Sequence, residues 1–289
     1  MGLPISVAIN IIGCTKNIEK GSVLCLGKQS LGFTVKDLLE SSKKNNHNID
    51  LSIFYDLNLK EKLNQKLFFE TLGFKKIDTL DVSNYEEAEI LFDLNQQNTP
   101  KELQNKYNFI YDGGTLEHLF NIGNALNHLT KMIKRMGVIF HSNPCNGYID
   151  HGFFQISPTL YFDYYLTNNF KIIYSGIIEQ SIGIKIFPVR QDLYRTLDMN
   201  FSVKNTPKSV LNFSVQKLND ISEIRTPQQG YYSALWEKDK QHFYEVEKHI
   251  PISRYKLLQT IFTIWISFPY KLIYFLKSIK KRFKLYLSV

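Results

Sequence analysis

Apolar and polar positions along the chain fall into two alternating kinds of segment. Ser22–Leu26 is a compact apolar run closed by Gly27, which reads as a buried strand, and after a polar loop Val35–Ser42 reads as a helix. Leu59–Leu72 has helical spacing at Leu59, Leu63, Leu67, Phe68 and Leu72 and stops at Gly73, a residue suited to the left-handed position past a helix end. Three short apolar runs follow, Lys76–Leu80, Ala88–Phe92 and Tyr107–Tyr111, and each is closed by an acid: Asp81, Asp93 and Asp112. Helical periodicity returns over Leu116–Ile133, and the next strand, Val138–His141, is broken by Asn143-Pro144. Ser157-Pro158 offers an N-cap followed by a first-turn proline, which predicts a helix over Thr159–Thr167. Strands Phe170–Ile178 and Val210–Leu218 close the pattern, with an insertion at about 180–208 between them. No repeat of about 20 to 50 residues recurs.

Strands alternating with helices predict an α/β fold whose mostly parallel sheet is covered on both faces. Ligands of such sheets bind outside the carboxyl ends of the strands. That rule gathers Gly27, Asp81, Asp93 and Asp112 around one crevice although they are far apart in sequence.

At these residues the chain resembles the class I S-adenosylmethionine-dependent methyltransferases. The likeness runs from about Ser22 to Leu218 and is densest in Asp81-Val-Ser, Phe92-Asp-Leu-Asn95 and Phe109-Ile-Tyr-Asp-Gly-Gly-Thr-Leu-Glu-His118. The resemblance implies a Rossmann-like, doubly wound, seven-stranded sheet with an antiparallel last strand, and S-adenosyl-L-methionine as cofactor. It implies that the loop Gly27-Lys28-Gln29 approaches the cofactor's amino-acid moiety, Asp81 accepts from the ribose hydroxyls, Asp93 and Leu94 meet the adenine, and Asp112 lies beside the reacting methyl. A carboxylate can accept from both hydroxyls of a diol, and glycine admits a backbone approach that a Cβ would block. Two features depart from the family: the loop runs Gly27-Lys-Gln-Ser-Leu-Gly32 rather than G-x-G-x-G, and 54 residues separate Gly27 from Asp81. Thr34–Leu72 is accordingly read as an inserted helical or lid segment. A rival assignment puts the second strand at Leu51–Tyr55 and the ribose acid at Asp56; Asp81 preserves more of the pattern. The same loop lacks the first glycine pair of G-x-G-x-x-G, which argues against a nicotinamide dinucleotide.

Methyl transfer to a hydroxyl needs alignment and a proton acceptor. The segment Asn143–Gln155 follows the fifth strand and should lie over the crevice mouth. His151 in it is the expected base, oriented by Asp150 or Glu117, with His118 a further proton-transfer candidate. His141, ending an apolar strand, reads as a satisfied core histidine. The aromatics of Thr226–Trp236 could wall a sugar or ring pocket.

Cys14, Cys25 and Cys145 are odd in number and widely spaced, so they suggest neither a disulfide framework nor a zinc site, no metal is expected, and a reducing cytoplasm fits. The apolar stretch Pro4–Ile12 lacks the basic lead and cleavage site of a signal peptide. The net charge of +8 is local: 251–289 holds eight basic and no acidic residues, which leaves the rest of the chain neutral and argues against nucleic-acid binding by the main domain. On a helical wheel Ile261, Trp265, Phe268, Leu272, Phe275, Leu276, Ile279 and Phe283 cluster opposite Lys271, Lys281 and Lys284, the pattern of an interfacial amphipathic helix on an anionic membrane. The chain is thus expected to comprise a lead at 1–20, a methyltransferase-like domain at 21–220, an aromatic extension at 221–250 and the basic tail at 251–289. The expected activity is O-methylation of a small or lipid-linked glycan-type acceptor at the cytoplasmic face of the membrane. The alternatives are a catalytically silent scaffold of the same fold and an RNA methyltransferase.

Overall fold

A computed structural model describes residues 2–47, 49, 59–179, 185–188, 208–230 and 232–233. The chain divides into one unit over Met1–Ser233 and another over Ala234–Val289. The basic tail, the rival Asp56 with Leu51–Tyr55, and most of the second insertion lie outside the described residues.

Ten strands and five α-helices make up the described fold. The helices are α1 (Ile5–Thr15), α2 (Val35–Lys44), α3 (Gln65–Thr71), α4 (Ile122–Met132) and α5 (Pro158–Thr167). The strands are β1 (Ser22–Leu26), β2 (Ser30–Thr34), β3 (Lys62–Asn64), β4 (Lys76–Asp81), β5 (Ile90–Leu91), β6 (Tyr107–Asp112), β7 (Ile133–Asn146), β8 (Phe170–Glu179), β9 (Lys185–Pro188) and β10 (Ser209–Lys217). Eight of them form one sheet in the order β5-β4-β1-β6-β7-β10-β8-β9. Strands β5, β4, β1, β6 and β7 are parallel neighbours, and β10 runs antiparallel between β7 and β8. This is the expected Rossmann-like sheet of seven strands with an antiparallel last strand. The second insertion adds an eighth, because β9 pairs antiparallel with the edge of β8.

Alternation along the strands sorts the core into two layers. Val23, Cys25, Phe109, Tyr111, Val138 and Phe140 face one side and pack with α1, α2 and α3. Leu24, Leu26, Ile110, Ile139, Leu211 and Phe213 face the other and pack with α4 and α5. The same parity carries three polar side chains, Asp112 on β6 and His141 and Asn143 on β7, to the α5 side of the sheet's carboxyl rim.

Several expected elements are corrected. The helix read over Leu59–Leu72 is β3 followed by α3, because the Asn64 side chain caps α3 by accepting from Leu67 N (2.8 Å) and β3 pairs with β2. The polar loop after Gly27 becomes β2, and the N-terminal lead holds α1, whose Val7, Ala8, Ile11 and Ile12 are buried. The helix over Leu116–Ile133 is interrupted: a single 3-10 turn at Leu116–His118 precedes α4. Strand β5 is only two residues long, and β7 continues through Pro144 to Asn146. Proline is tolerated there because the β7–β10 register shifts between Ser209 and Val210, beside Pro144. Among the described residues no helix is long and apolar enough to cross a membrane.

Candidate active site

Parallel register places the predicted rim residues side by side. Leu26 pairs with Leu80 of β4 on one side and Asp112 of β6 on the other, so Gly27 and Asp81 emerge together. Gly27 has φ +69° and donates from its N to Leu80 O (2.9 Å), and a Cβ on it would stand 4.0 Å from Asp81 Oδ2 and 3.7 Å from Thr115 Oγ1. Asp81 is half-buried; Oδ1 accepts from Ser83 N (3.0 Å), while Oδ2 has no hydrogen-bond partner among the described residues. Asp93 is similar, with Oδ1 accepting from both Asn95 N (2.8 Å) and Asn95 Nδ2 (3.0 Å). Asn95 in turn accepts from Asn121 N at its Oδ1 (3.0 Å), tying the loop after β5 to the start of α4.

The remaining cofactor candidates diverge. Gln29 is buried at the mouth of β1, where Nε2 donates to Leu26 O (3.2 Å) and Oε1 has no partner among the described residues. Lys28 turns outward, with Nζ donating to Glu86 O (3.2 Å) and lying 3.7 Å from Glu87. A cavity of about 510 Å³ opens beside these two residues, bounded also by Gly2, Ser30 and Glu86. Leu94 is buried in the apolar layer under α4 rather than presented at the rim. Asp112 corrects the expectation more sharply. It is fully buried and both oxygens are taken: Oδ1 by Thr115 N (3.0 Å) and Leu116 N (3.3 Å), Oδ2 by His141 Nδ1 (2.8 Å) and Asn143 Nδ2 (2.9 Å). With four donors satisfied, it positions the turn that follows β6 and leaves no acceptor for a ligand.

That turn brings the proton-handling candidates together. Thr115 Oγ1 donates to Leu26 O (2.9 Å), locking the turn against the end of β1, and Glu117 and His118 follow. The loop from Gly147 folds back onto it: Asp150 takes φ +65°, Phe154 N donates to Glu117 O (3.1 Å), and a Cβ on Gly152 would fall 2.8 Å from Glu117 O. Only glycine permits that approach. It sets His151 Nε2 3.8 Å from Glu117 Oε1, with His118 Nε2 3.9 Å from the same oxygen and the two imidazoles 5.0 Å apart. Asp150 is exposed and pairs with no side chain among the described residues, so the carboxylate that faces His151 is that of Glu117.

Glu117 is completely buried. Its Oε2 accepts from Asn143 Nδ2 (3.0 Å) and its Oε1 has no hydrogen-bond partner among the described residues. Burial and the nearby Asp112 carboxylate push its carboxyl up to about 7 against the opposing pull of the Asn143 hydrogen bond. The exposed His118 is held below the ordinary histidine range by desolvation and by His151. Sequence reasoning missed Asn143, which bridges both carboxylates and accepts from Tyr161 OH (2.7 Å). His141 is the satisfied core histidine expected of it: its Nε2 lies 2.6 Å from Tyr165 OH and its ring stacks on Tyr161. Parity with Ile139 and His141 on one strand is the signal that could have found Asn143.

A second cavity, of about 600 Å³, lies on the α1 side of the sheet and includes Leu3, Val7, Tyr111, Gly113, Ser142 and Val210 in its wall. It borders neither Asp81 nor Glu117, because Tyr111 and Ser142 have the opposite parity to Asp112, His141 and Asn143.

No protein-family model and no curated protein matches the sequence. Among solved structures the chain is similar to the MccD protein, at 13% identity and TM-score 0.36 over 73% of this chain and 96% of that one. It is also similar to a SAM-dependent methyltransferase from Archaeoglobus fulgidus, at 15% identity and TM-score 0.37 over 74% and 92% of the two chains. An S-adenosylmethionine-dependent methyltransferase from Mesorhizobium loti aligns at 9% identity and TM-score 0.38 over 74% and 100%.

Proposed function

We propose that this chain is an S-adenosylmethionine-dependent methyltransferase acting on a hydroxyl of a small or lipid-linked glycan-type acceptor. The observation that carries the reading is the meeting of Gly27 and Asp81 at the rim: a positive-φ glycine leaves backbone open within reach of a carboxylate oxygen with no partner among the described residues. The residues fit the cofactor in kind. Asp81 Oδ2 offers an acceptor to a ribose diol, Asp93 a second carboxylate toward an adenine amino group, and the orphaned Gln29 Oε1 an acceptor for an ammonium.

S-adenosylmethionine, held by Gly27, Asp81 and Asp93, would supply the electrophilic methyl group. The protein's part is to hold the acceptor in line and to take its hydroxyl proton. The Glu117–His118–His151 group is suited to the second task, since Glu117 and His118 stand on the turn that Thr115 pins to β1, the Gly147–Phe154 loop brings His151 to them, and the two histidines reach solvent. Phe120 and Phe153, two residues beyond His118 and His151 in sequence, 71% and 66% exposed and packed edge to face, offer an apolar wall to a ring-bearing acceptor. The basic, aromatic-rich tail supports a peripheral place on the cytoplasmic face of a membrane, where a lipid-linked acceptor would be met.

Calorimetric titration of the full chain with S-adenosylmethionine tests the reading. Hydrogen bonds to a charged group contribute about 1.5–3 kcal/mol, so Asp81→Ala should weaken binding about 10- to 100-fold with an unchanged unfolding midpoint. An unchanged affinity would move the ribose role to another carboxylate, and no binding by the wild type at millimolar concentration would leave the scaffold.

A further inference from the structure

We propose that Glu117, His118 and His151 form a binding site for a first-row divalent transition ion, with Glu117 Oε1 and the two Nε2 atoms as ligands. The three donor atoms lie within 4.8 Å of one another. Two distances are 3.8 and 3.9 Å and the third, between the imidazoles, is within 4.8 Å, against about 3.3 Å between ligands 2.0–2.1 Å from a tetrahedral ion, so closure takes about half an ångström on two edges and up to about 1.5 Å on the third. The mobile partners are the two imidazoles, whose side chains are 46% (His118) and 35% (His151) exposed.

A second, independent observation points to a ligand. Glu117 is 0% exposed, yet its Oε1 has no hydrogen-bond partner among the described residues, and both nearby imidazoles turn Nε2 toward it. A buried acceptor left unmade is destabilising, and a cation would satisfy it. The carboxylate is preset for that role, because Asn143 Nδ2 holds Oε2 and Tyr161 OH holds Asn143. Two imidazole nitrogens and one carboxylate oxygen suit Zn²⁺, Co²⁺ or Fe²⁺ better than Mg²⁺ or Ca²⁺, and three protein ligands leave a position open on the solvent side. Gly152 belongs to the design, since a Cβ there would reach 3.1 Å from His118 Nδ1.

The ion's role in chemistry rests on the methyltransferase reading: an acceptor hydroxyl in the open position would be polarised by the metal, and His151 would serve as ligand rather than as free base. Binding of the ion does not rest on it, and the test uses binding. Chelator-stripped full-length protein is titrated with Co²⁺ and followed by visible d–d absorption, then displaced with Zn²⁺. The expected result is one Co²⁺ per chain, displaced by equimolar Zn²⁺. His118→Ala, His151→Ala and Glu117→Gln should each raise the dissociation constant at least about 100-fold, the upper end of what losing a mere outer-shell partner costs. His47→Ala, a histidine lying against Gly13, should leave it unchanged. No binding below millimolar Co²⁺, or binding that survives the three ligand substitutions, would overturn the site. S-adenosylmethionine titrated into the same stripped protein separates the two proposals: retained cofactor affinity without Co²⁺ binding removes the metal alone.

Discussion

Asn143 holds the buried polar network at the rim together. Its amide donates to Asp112 and Glu117 and its oxygen accepts from Tyr161, so truncation would leave two buried carboxylates and a hydroxyl each short of a partner. Leaving buried groups unsatisfied costs about 1–3 kcal/mol apiece. With three groups affected, Asn143→Ala is therefore expected to lower stability by about 3 kcal/mol or more in urea unfolding; a loss below about 0.5 kcal/mol would show that the network does not form. His151→Ala, by contrast, should lower turnover with little change in cofactor affinity, and full activity in that variant would remove His151 from the proton path. Gly27, Asp81 and His151 were legible as candidates because each closes an apolar run or sits in a loop after a strand, and Glu117 through the resemblance carried by Leu116-Glu-His118. Asn143 was not, because its inward direction follows from strand parity, and in the sequence the strand breaks at Asn143-Pro144 before that parity can reach it.

At the scale of elements, α5 and the loop before it shape the site. Helix α5 presses Tyr161 and Tyr165 onto His141, and Ser157 starts it by accepting from Thr159 N (3.3 Å). Ser157→Ala should cost about 1 kcal/mol, read as a shift in urea midpoint at constant slope. The Gly147–Phe154 loop gives a sharper test. A methyl group at Gly152 meets the Glu117 carbonyl, so Gly152→Ala must lift the loop and carry His151 away from Glu117. A misplacement of about 1 Å reaches about 100-fold in rate, so turnover should fall at least about tenfold; an unaffected rate would place the reaction away from this loop. Strands β1, β4, β6, β8 and β10 were readable as apolar runs within a residue or so of their observed ends. The Leu59–Leu72 periodicity misled because Leu63 belongs to a strand, and a capping side chain at Asn64 outweighs the helical spacing around it.

At the scale of the molecule, charge and fold are divided between parts of the chain. The rest of the chain is neutral and 251–289 carries the whole +8. At about 1 kcal/mol per basic residue near an anionic surface, the 289-residue chain should co-sediment with vesicles containing acidic lipid and be released as salt shortens the screening length. Equal recovery on neutral vesicles, or none on either, would remove the membrane from the account. The sheet order was legible only in outline: alternation predicts parallel strands, whereas the β9 edge and the β2–β3 pair arise from insertions without a clear period. What the account depends on is that rim residues far apart in sequence close around one cofactor. Amide hydrogen exchange on the full chain, with and without S-adenosylmethionine, tests this most directly. The account predicts added protection confined to three separated stretches, around Gly27–Gln29, Asp81–Ser83 and Asp93–Asn95; protection absent from all three, or concentrated instead on the α1 face around Leu3 and Val7, would contradict it.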